Sequence, residues 1–358
     1  MRFKKTAIKI GSNVLTRADG TLDITRMSAI VDQVAYLHKK GIQIILISSG
    51  AVASGRSMIG ISKKMDVVDQ RQLFSTIGQA KLINHYWDLF REQNIVVGQV
   101  LTTKDNFGSR QLYLNQRNCI QIMLENNVIP IVNENDAVSV TELMFTDNDE
   151  LSGLVASMMG TEALIILSNI DGIYNGSPSD PNSSVITEIS KEQNIEKFVQ
   201  SSKSTYGRGG METKINIAQK IADEGIEVFI ANGKKDNIII QLLENKPDTV
   251  YTHFRASKSD VSSVKKWIAH SDGFAKGEIY VNKNAELALL GEKAVSLLPI
   301  GVTSIVGNFE KDDIVKVVND EGKIIGVGKT QYNSEKAMLV MGKKNEKPII
   351  HCDYLYLE

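Results

Sequence analysis

Five stretches of the 358-residue chain carry residue types suited to holding a phosphate or an acidic substrate. The most specific is Gly207-Arg208-Gly209-Gly210-Met211-Glu212-Thr213-Lys214, with three glycines in four residues immediately before a predicted helix. Such a loop lets backbone N–H groups converge on phosphate oxygens, and Lys214 on the first helical turn adds a cation. Lys9-Ile10-Gly11-Ser12 closes the first predicted strand, where a lysine and a glycine could sit beside an anion. Ser48-Ser49-Gly50-Ala51-Val52-Ala53-Ser54-Gly55 follows the second strand, and its small residues allow close backbone approach. Asn133-Glu134-Asn135-Asp136 and Asp147-Asn148-Asp149 are polar clusters at a strand end and a helix start, suited to an ammonium group, a donor lysine or a metal. Taken singly, each stretch also reads as ordinary turn and cap chemistry.

Those stretches need elements to position them. Thr6–Ile10, Ile42–Ile47, Ile95–Leu101, Val128–Val132, Ala163–Leu167 and Ile226–Ile230 are continuous apolar runs, the pattern of strands covered on both faces. Helical patterns lie between them: Ile24–Lys40, Val68–Gln93, Arg110–Asn127, Asp149–Met159, Met211–Glu224 and Asp236–Glu244. Asp23 or Thr25 could open the first helix, while Gly41 and Gly225 are placed as C-terminal caps. This alternation predicts a three-layer, doubly wound α/β sandwich with a mainly parallel sheet over residues 1–256. Residues 257–276 are small and polar, a linker by composition. Residues 277–358 read as a small β-rich domain with short strands at Glu278–Val281, Val302–Val306, Ile314–Val318, Ile324–Lys329, Met338–Met341 and Ile349–Cys352. Asn319-Asp320-Glu321-Gly322 looks like a hairpin connection there.

Composition removes several classes. A formal charge of −1 advertises neither nucleic acid nor an anionic membrane. The apolar stretch after the basic N-terminus stops at Lys9, short of a signal peptide, and no run reaches membrane-spanning length. Two separated cysteines, Cys119 and Cys352, fit a reducing cytoplasm. There is no Walker A spacing, no G-x-G-x-x-G dinucleotide fingerprint, no nucleophile elbow, and no spacing of the five histidines that suits a metal. Leu73, Phe74, Ile77, Leu82, Ile83, Tyr86, Trp87 and Phe90 give the long helix more apolar surface than one core stripe absorbs.

Taken in order, Lys9–Thr16, Ser49–Gly55, Asn133–Val138 and Gly209–Lys214 resemble the amino acid kinase family, and most closely its branch that phosphorylates glutamate. Ser296–Gly301 and Gly307–Phe309 resemble the PUA domain that ends many such enzymes, here shortened and divergent, with Lys311-Asp312-Asp313 lacking the usual glycine. The resemblance implies ATP and Mg²⁺, the ion carried mainly on the ATP phosphates with no dedicated protein ligands. It implies transfer to the γ-carboxylate of L-glutamate, feedback inhibition by proline, a homodimer or homotetramer, and glutamyl-phosphate reductase as the next enzyme. Carried over by position, Lys9, Lys214 and Asp149 are catalytic. Lys9, Gly11, Ser168, Asn169, Arg208, Gly209, Gly210, Met211, Glu212, Thr213 and Lys214 line the nucleotide site. Ser49, Gly50, Asn133, Asp136, Asp147 and Asn148 hold glutamate.

The chain departs from the family at Ser168-Asn169, where Thr-Asp is common, and at Arg208, where a small residue is common. Acetylglutamate, aspartate or uridylate kinases, or a silent regulatory or RNA-binding protein of the same fold, are the alternatives. The Asn133–Asp136 segment and the PUA-like tail argue against the other kinases, and the intact Lys9, Asp149 and Lys214 argue against a silent protein. From Gly277 onward there are ten lysines, no arginine and twelve acidic residues, so RNA is not an expected partner.

Overall fold

The computed structural model describes residues 2–60, 65–139, 145, 148–178, 180–189, 211–257, 268, 274–291 and 294–357. The chain splits into two compact units, residues 1–106 with 113–260, and residues 107–112 with 261–358.

The first unit is built on strands β1 (Lys5–Ile10), β2 (Gln43–Ser48), β3 (Val97–Thr102), β4 (Ile129–Glu134), β5 (Ala163–Ser168), β6 (Glu188–Ile189), β7 (Glu227–Asn232) and β8 (Thr252–Phe254). They form one sheet in the order β3-β4-β2-β1-β5-β7-β8-β6. Every pairing is parallel except β7 with β8. The six expected strands are all present; β6 and β8, short and without a long apolar run, carry no comparable sequence signal.

Period-two geometry decides what each strand residue faces. Ile8 and Ile10 of β1 join a core with Met27, Ile30 and Val34 of the Ile24–Lys39 helix and Leu82, Tyr86 and Phe90 of the Val67–Glu92 helix. Lys9, between them, must point to the opposite face. There the Asn148–Met159 helix lies over β1, β2, β4 and β5. The expected caps are in place: Asp23 accepts from Arg26 N at 3.0 Å, and Gly41 and Gly225 have φ of +85° and +87°.

The sheet has a switch point. From β1 the chain moves to β2 on one side, whereas from β5, the other neighbour of β1, it moves outward to β6 at the opposite edge before returning to β7. Loops at the carboxyl ends of β1 and β5 therefore diverge and leave a crevice, the usual ligand position in such sheets. Gly11 N–H donates to the Leu167 carbonyl across the crevice floor at 3.0 Å, and a Cβ on Gly11 would lie only 3.0 Å from that oxygen.

The second unit holds β9 (Gly277–Val281), β10 (Val302–Gly307), β11 (Ile314–Val318), β12 (Ile324–Thr330) and β13 (Ile350–Leu357) in the order β10-β9-β11-β12-β13. Asn319–Gly322 forms the expected hairpin connection, with Gly322 at φ +81°. The missing glycine near Lys311 leaves Asp312 in the left-handed region at φ +74°. One expectation fails: Met338–Met341 is not a strand, because Ser334–Val340 is a helix. Asn333 caps it through Lys336 N, and Ala337 and Val340 are buried one turn apart while Met338 and Leu339 face out. A four-residue apolar window cannot separate those two periods. No helix of the described residues is long and apolar enough to cross a membrane.

Candidate active site

Asp149 occupies the first turn of the Asn148–Met159 helix and is fully buried. One carboxylate oxygen lies 2.5 Å from Lys9 Nζ and the other 2.6 Å from Lys214 Nζ. Lys9 comes from the carboxyl end of β1, and Lys214 from the first turn of the Met211–Asp223 helix. Burial alone would raise the Asp149 carboxyl; the two ammonium groups outweigh it and hold the group at about 2. The cluster therefore carries two cations and one anion at neutral pH, a net positive charge beside the crevice.

Helix packing sets this geometry. Gly153, one turn after Asp149, faces Ile217 and Ile221, and a Cβ there would lie 3.0 Å from Ile217 Cγ2 and 3.2 Å from Ile221 Cγ1. At the far end Ser157 Oγ donates to Glu224 Oε2 at 2.5 Å. The two helices are thus held close enough for their first turns to share the carboxylate. Gly153→Leu is expected to lower stability by about 2 kcal/mol, typical of overpacking. Because it also displaces Asp149 from Lys214, turnover is expected to fall by up to about 100-fold. Urea denaturation and initial rates on the same preparation check both parts.

A second network lies on the β2 side of β1. Asn148 Nδ2 donates to Ser49 Oγ at 2.8 Å, to Asn133 Oδ1 at 3.1 Å and to the Ser48 carbonyl at 3.3 Å. Asn133 Nδ2 in turn donates to Gln79 Oε1 at 2.8 Å. Gly50 has φ +107°, a conformation open to glycine, and starts the Ala51–Arg56 helix. Arg71 donates through Nε to Asp136 at 2.6 Å and through Nη2 to Glu134 at 2.6 Å. On the other side of β1, Ser168 ends β5 with its Oγ 3.5 Å from Asn169 Oδ1, and Asn169 is exposed.

Burial, then the neighbouring Asp136 charge, pushes Glu134 up to about 7 against the opposing pull of Arg71. Burial likewise raises Asp136. A carboxyl raised on folding keeps a proton that the unfolded chain releases, so stability falls as pH rises from the ordinary 4.5 to about 7. Asp149 is shifted the opposite way, and its contribution is complete above 3.8. The urea midpoint is therefore expected to be higher near pH 5 than near pH 7.5, with the difference reduced in Glu134→Gln. A profile unchanged by that substitution would contradict the assignment.

Residues 4–232 match the model of the amino acid kinase family, and residues 277–351 match that of the PUA domain. The chain belongs to the amino acid kinase family. Within it, the glutamate 5-kinase of Bacteroides thetaiotaomicron is 65% identical over 99% of this chain and 99% of its own. That of Chlorobaculum tepidum is 43% identical over 99% and 98%. The fold is shared with the solved UMP kinase of Ureaplasma parvum, at TM-score 0.50 and 19% identity over 71% of this chain and all of that one.

For a member of this family, the structure brings Lys9, Asp149 and Lys214 together, and separately Ser49, Asn133 and Asn148. Asp136 is tied to Arg71. Met211, Glu212 and Thr213 share the first helical turn with Lys214. Asp147, Gly207, Arg208, Gly209 and Gly210 lie outside the described residues. Sequence reasoning missed Arg71 and Gln79, polar positions inside a long amphipathic helix. The available signal was their spacing with buried Ser75 and Gly78, which places all four along one helical face.

Proposed function

We propose that the chain is a kinase transferring the γ-phosphoryl group of ATP to the γ-carboxylate of L-glutamate, giving ADP and L-glutamyl 5-phosphate. This is the first step of proline synthesis from glutamate. The carrying observation is the Lys9–Asp149–Lys214 bridge at the crevice of a chain 65% identical to a glutamate 5-kinase. A γ-carboxylate, with a pKa of about 4.3, is already ionised at neutral pH. It needs no general base, so the chemical difficulty is bringing two anions together. Lys9 and Lys214 supply compact positive charge on either side of the transferring group, and Asp149 orients both ammonium groups.

Arg208 to Lys214, Gly11, Ser168 and Asn169 are assigned to the nucleotide. Ser49, Gly50, Asn133, Asp136, Asp147 and Asn148 are assigned to glutamate, whose ammonium group suits Asp136 and whose carboxylates suit the Ser49 and Asn148 donors. Both Asp149 oxygens already face lysine. That donor set suits a magnesium ion carried by the phosphates, where it neutralises their charge. Proline is the proposed feedback inhibitor, glutamyl-phosphate reductase the enzyme that takes the product, and the cytoplasm the location. A homodimer or homotetramer is proposed on the family resemblance.

The test is a hydroxylamine trap of the acyl phosphate. Glutamate, ATP and Mg²⁺ should yield the hydroxamate. Product with another acid and none with glutamate would remove the substrate claim but keep the reaction class.

A further inference from the structure

β13 is an edge strand of the second sheet, and its pairing with β12 is broken. Thr330 pairs with Ile350 and Gly328 with Leu355, so two steps along β12 face five along β13. The surplus residues bulge between those pairs, and the bulge contains His351, Cys352 and Asp353. In a regular strand Cys352 would point away from its neighbours; a bulge redirects side chains.

The result is a compact trio of different donors. Cys352 Sγ lies 3.8 Å from His351 Nδ1 and 3.9 Å from Asp353 Oδ1, and His351 Nδ1 lies 3.5 Å from Asp353 Oδ2. In a tetrahedral zinc site, metal–ligand lengths of about 2.0–2.3 Å put ligand atoms about 3.4–3.6 Å apart. The observed spacings lie within a few tenths of an ångström of that, and small side-chain rotations close the gap. The Asp353 N–H donates to His351 Nδ1 at 3.2 Å, a hydrogen bond that a metal on Nδ1 would replace, since the ring nitrogen has one lone pair. Cys352 N–H is anchored on Ser296 Oγ at 3.0 Å, which fixes the backbone beneath the trio. A bulge also blunts an exposed sheet edge, but that role places no demand on three ligating side chains.

We propose that His351, Cys352 and Asp353 bind a borderline divalent transition metal, Zn²⁺ in the first instance, through one nitrogen, one sulfur and one oxygen. Three protein ligands leave a fourth position for water or another ligand. Thiolate and imidazole disfavour Mg²⁺ and Ca²⁺, which take oxygen ligands. The second unit contains none of the residues assigned to phosphoryl transfer.

The experiment uses the full chain, reduced and stripped of metal, without nucleotide, titrated with Co²⁺ as a spectroscopic probe. A thiolate-to-cobalt charge-transfer band should appear with one equivalent bound and disappear when Zn²⁺ is added. It should persist in Cys119→Ser, vanish in Cys352→Ser, and need at least about tenfold more Co²⁺ in His351→Ala. Circular dichroism verifies that each variant is folded. A wild-type protein showing no such band, or a band unchanged in Cys352→Ser, would overturn the proposal.

Discussion

Asp149→Asn is expected to lower kcat by about 1000-fold, the upper range for losing one preorganised electrostatic contact at a transition state. The substitution keeps size and shape but removes the charge that both lysines share. Lys9 is only 5% exposed, so its ammonium group would face Lys214 across a neutral amide in a poorly solvated site. Leaving buried charge without its partner costs about 3–5 kcal/mol. The variant should therefore also unfold at lower urea, the part of the prediction that distinguishes a shared counter-ion from a residue needed only for chemistry. Hydroxamate kinetics and urea titration read the two effects separately. A kcat within tenfold of the parent would refute the assigned role of Asp149.

Lys214→Ala should show a comparable loss of turnover with a smaller loss of stability. Asp149 keeps Lys9 at 2.5 Å, so no buried carboxylate is left alone, and Lys214 is more exposed than Lys9. What disappears is one of the two cations proposed to flank the transferring group. Lys214→Arg should not restore the rate, because a planar, longer guanidinium cannot take the compact position between a carboxylate and a phosphate. Full activity in Lys214→Ala would refute its catalytic assignment. Equal destabilisation of Lys214→Ala and Asp149→Asn would contradict the asymmetry drawn from burial.

Much of the site's placement was legible because anion sites in parallel α/β sheets gather at strand carboxyl ends and helix starts. Lys9, Ser49, Asn133, Ser168 and Lys214 all occupy such positions. Arg71 and Gln79 were not legible, since a polar residue in a long helix has the same sequence appearance whether it faces water or a neighbouring carboxylate. Gly78 illustrates the same limit: a Cβ there would meet the Ala51 carbonyl oxygen at 1.8 Å. Nothing local in the sequence shows that two helices touch backbone to backbone at that point.

The sequence by itself determined the six longer strands and the main helices of the first unit, the caps at Asp23, Gly41 and Gly225, and the polar clusters at strand ends. These depend on short-range sterics and on the periods of buried residues, which neighbouring residues encode. Only the tertiary structure decided that Asp149 is shared by two lysines and that Asn148 joins Ser49 to Asn133. It likewise decided that a bulge turns His351, Cys352 and Asp353 toward one point. Those contacts depend on strand order, on the side of β1 that each residue faces, and on how closely glycines let helices approach. Such properties belong to the packed chain, because each requires segments far apart in sequence to be fixed together.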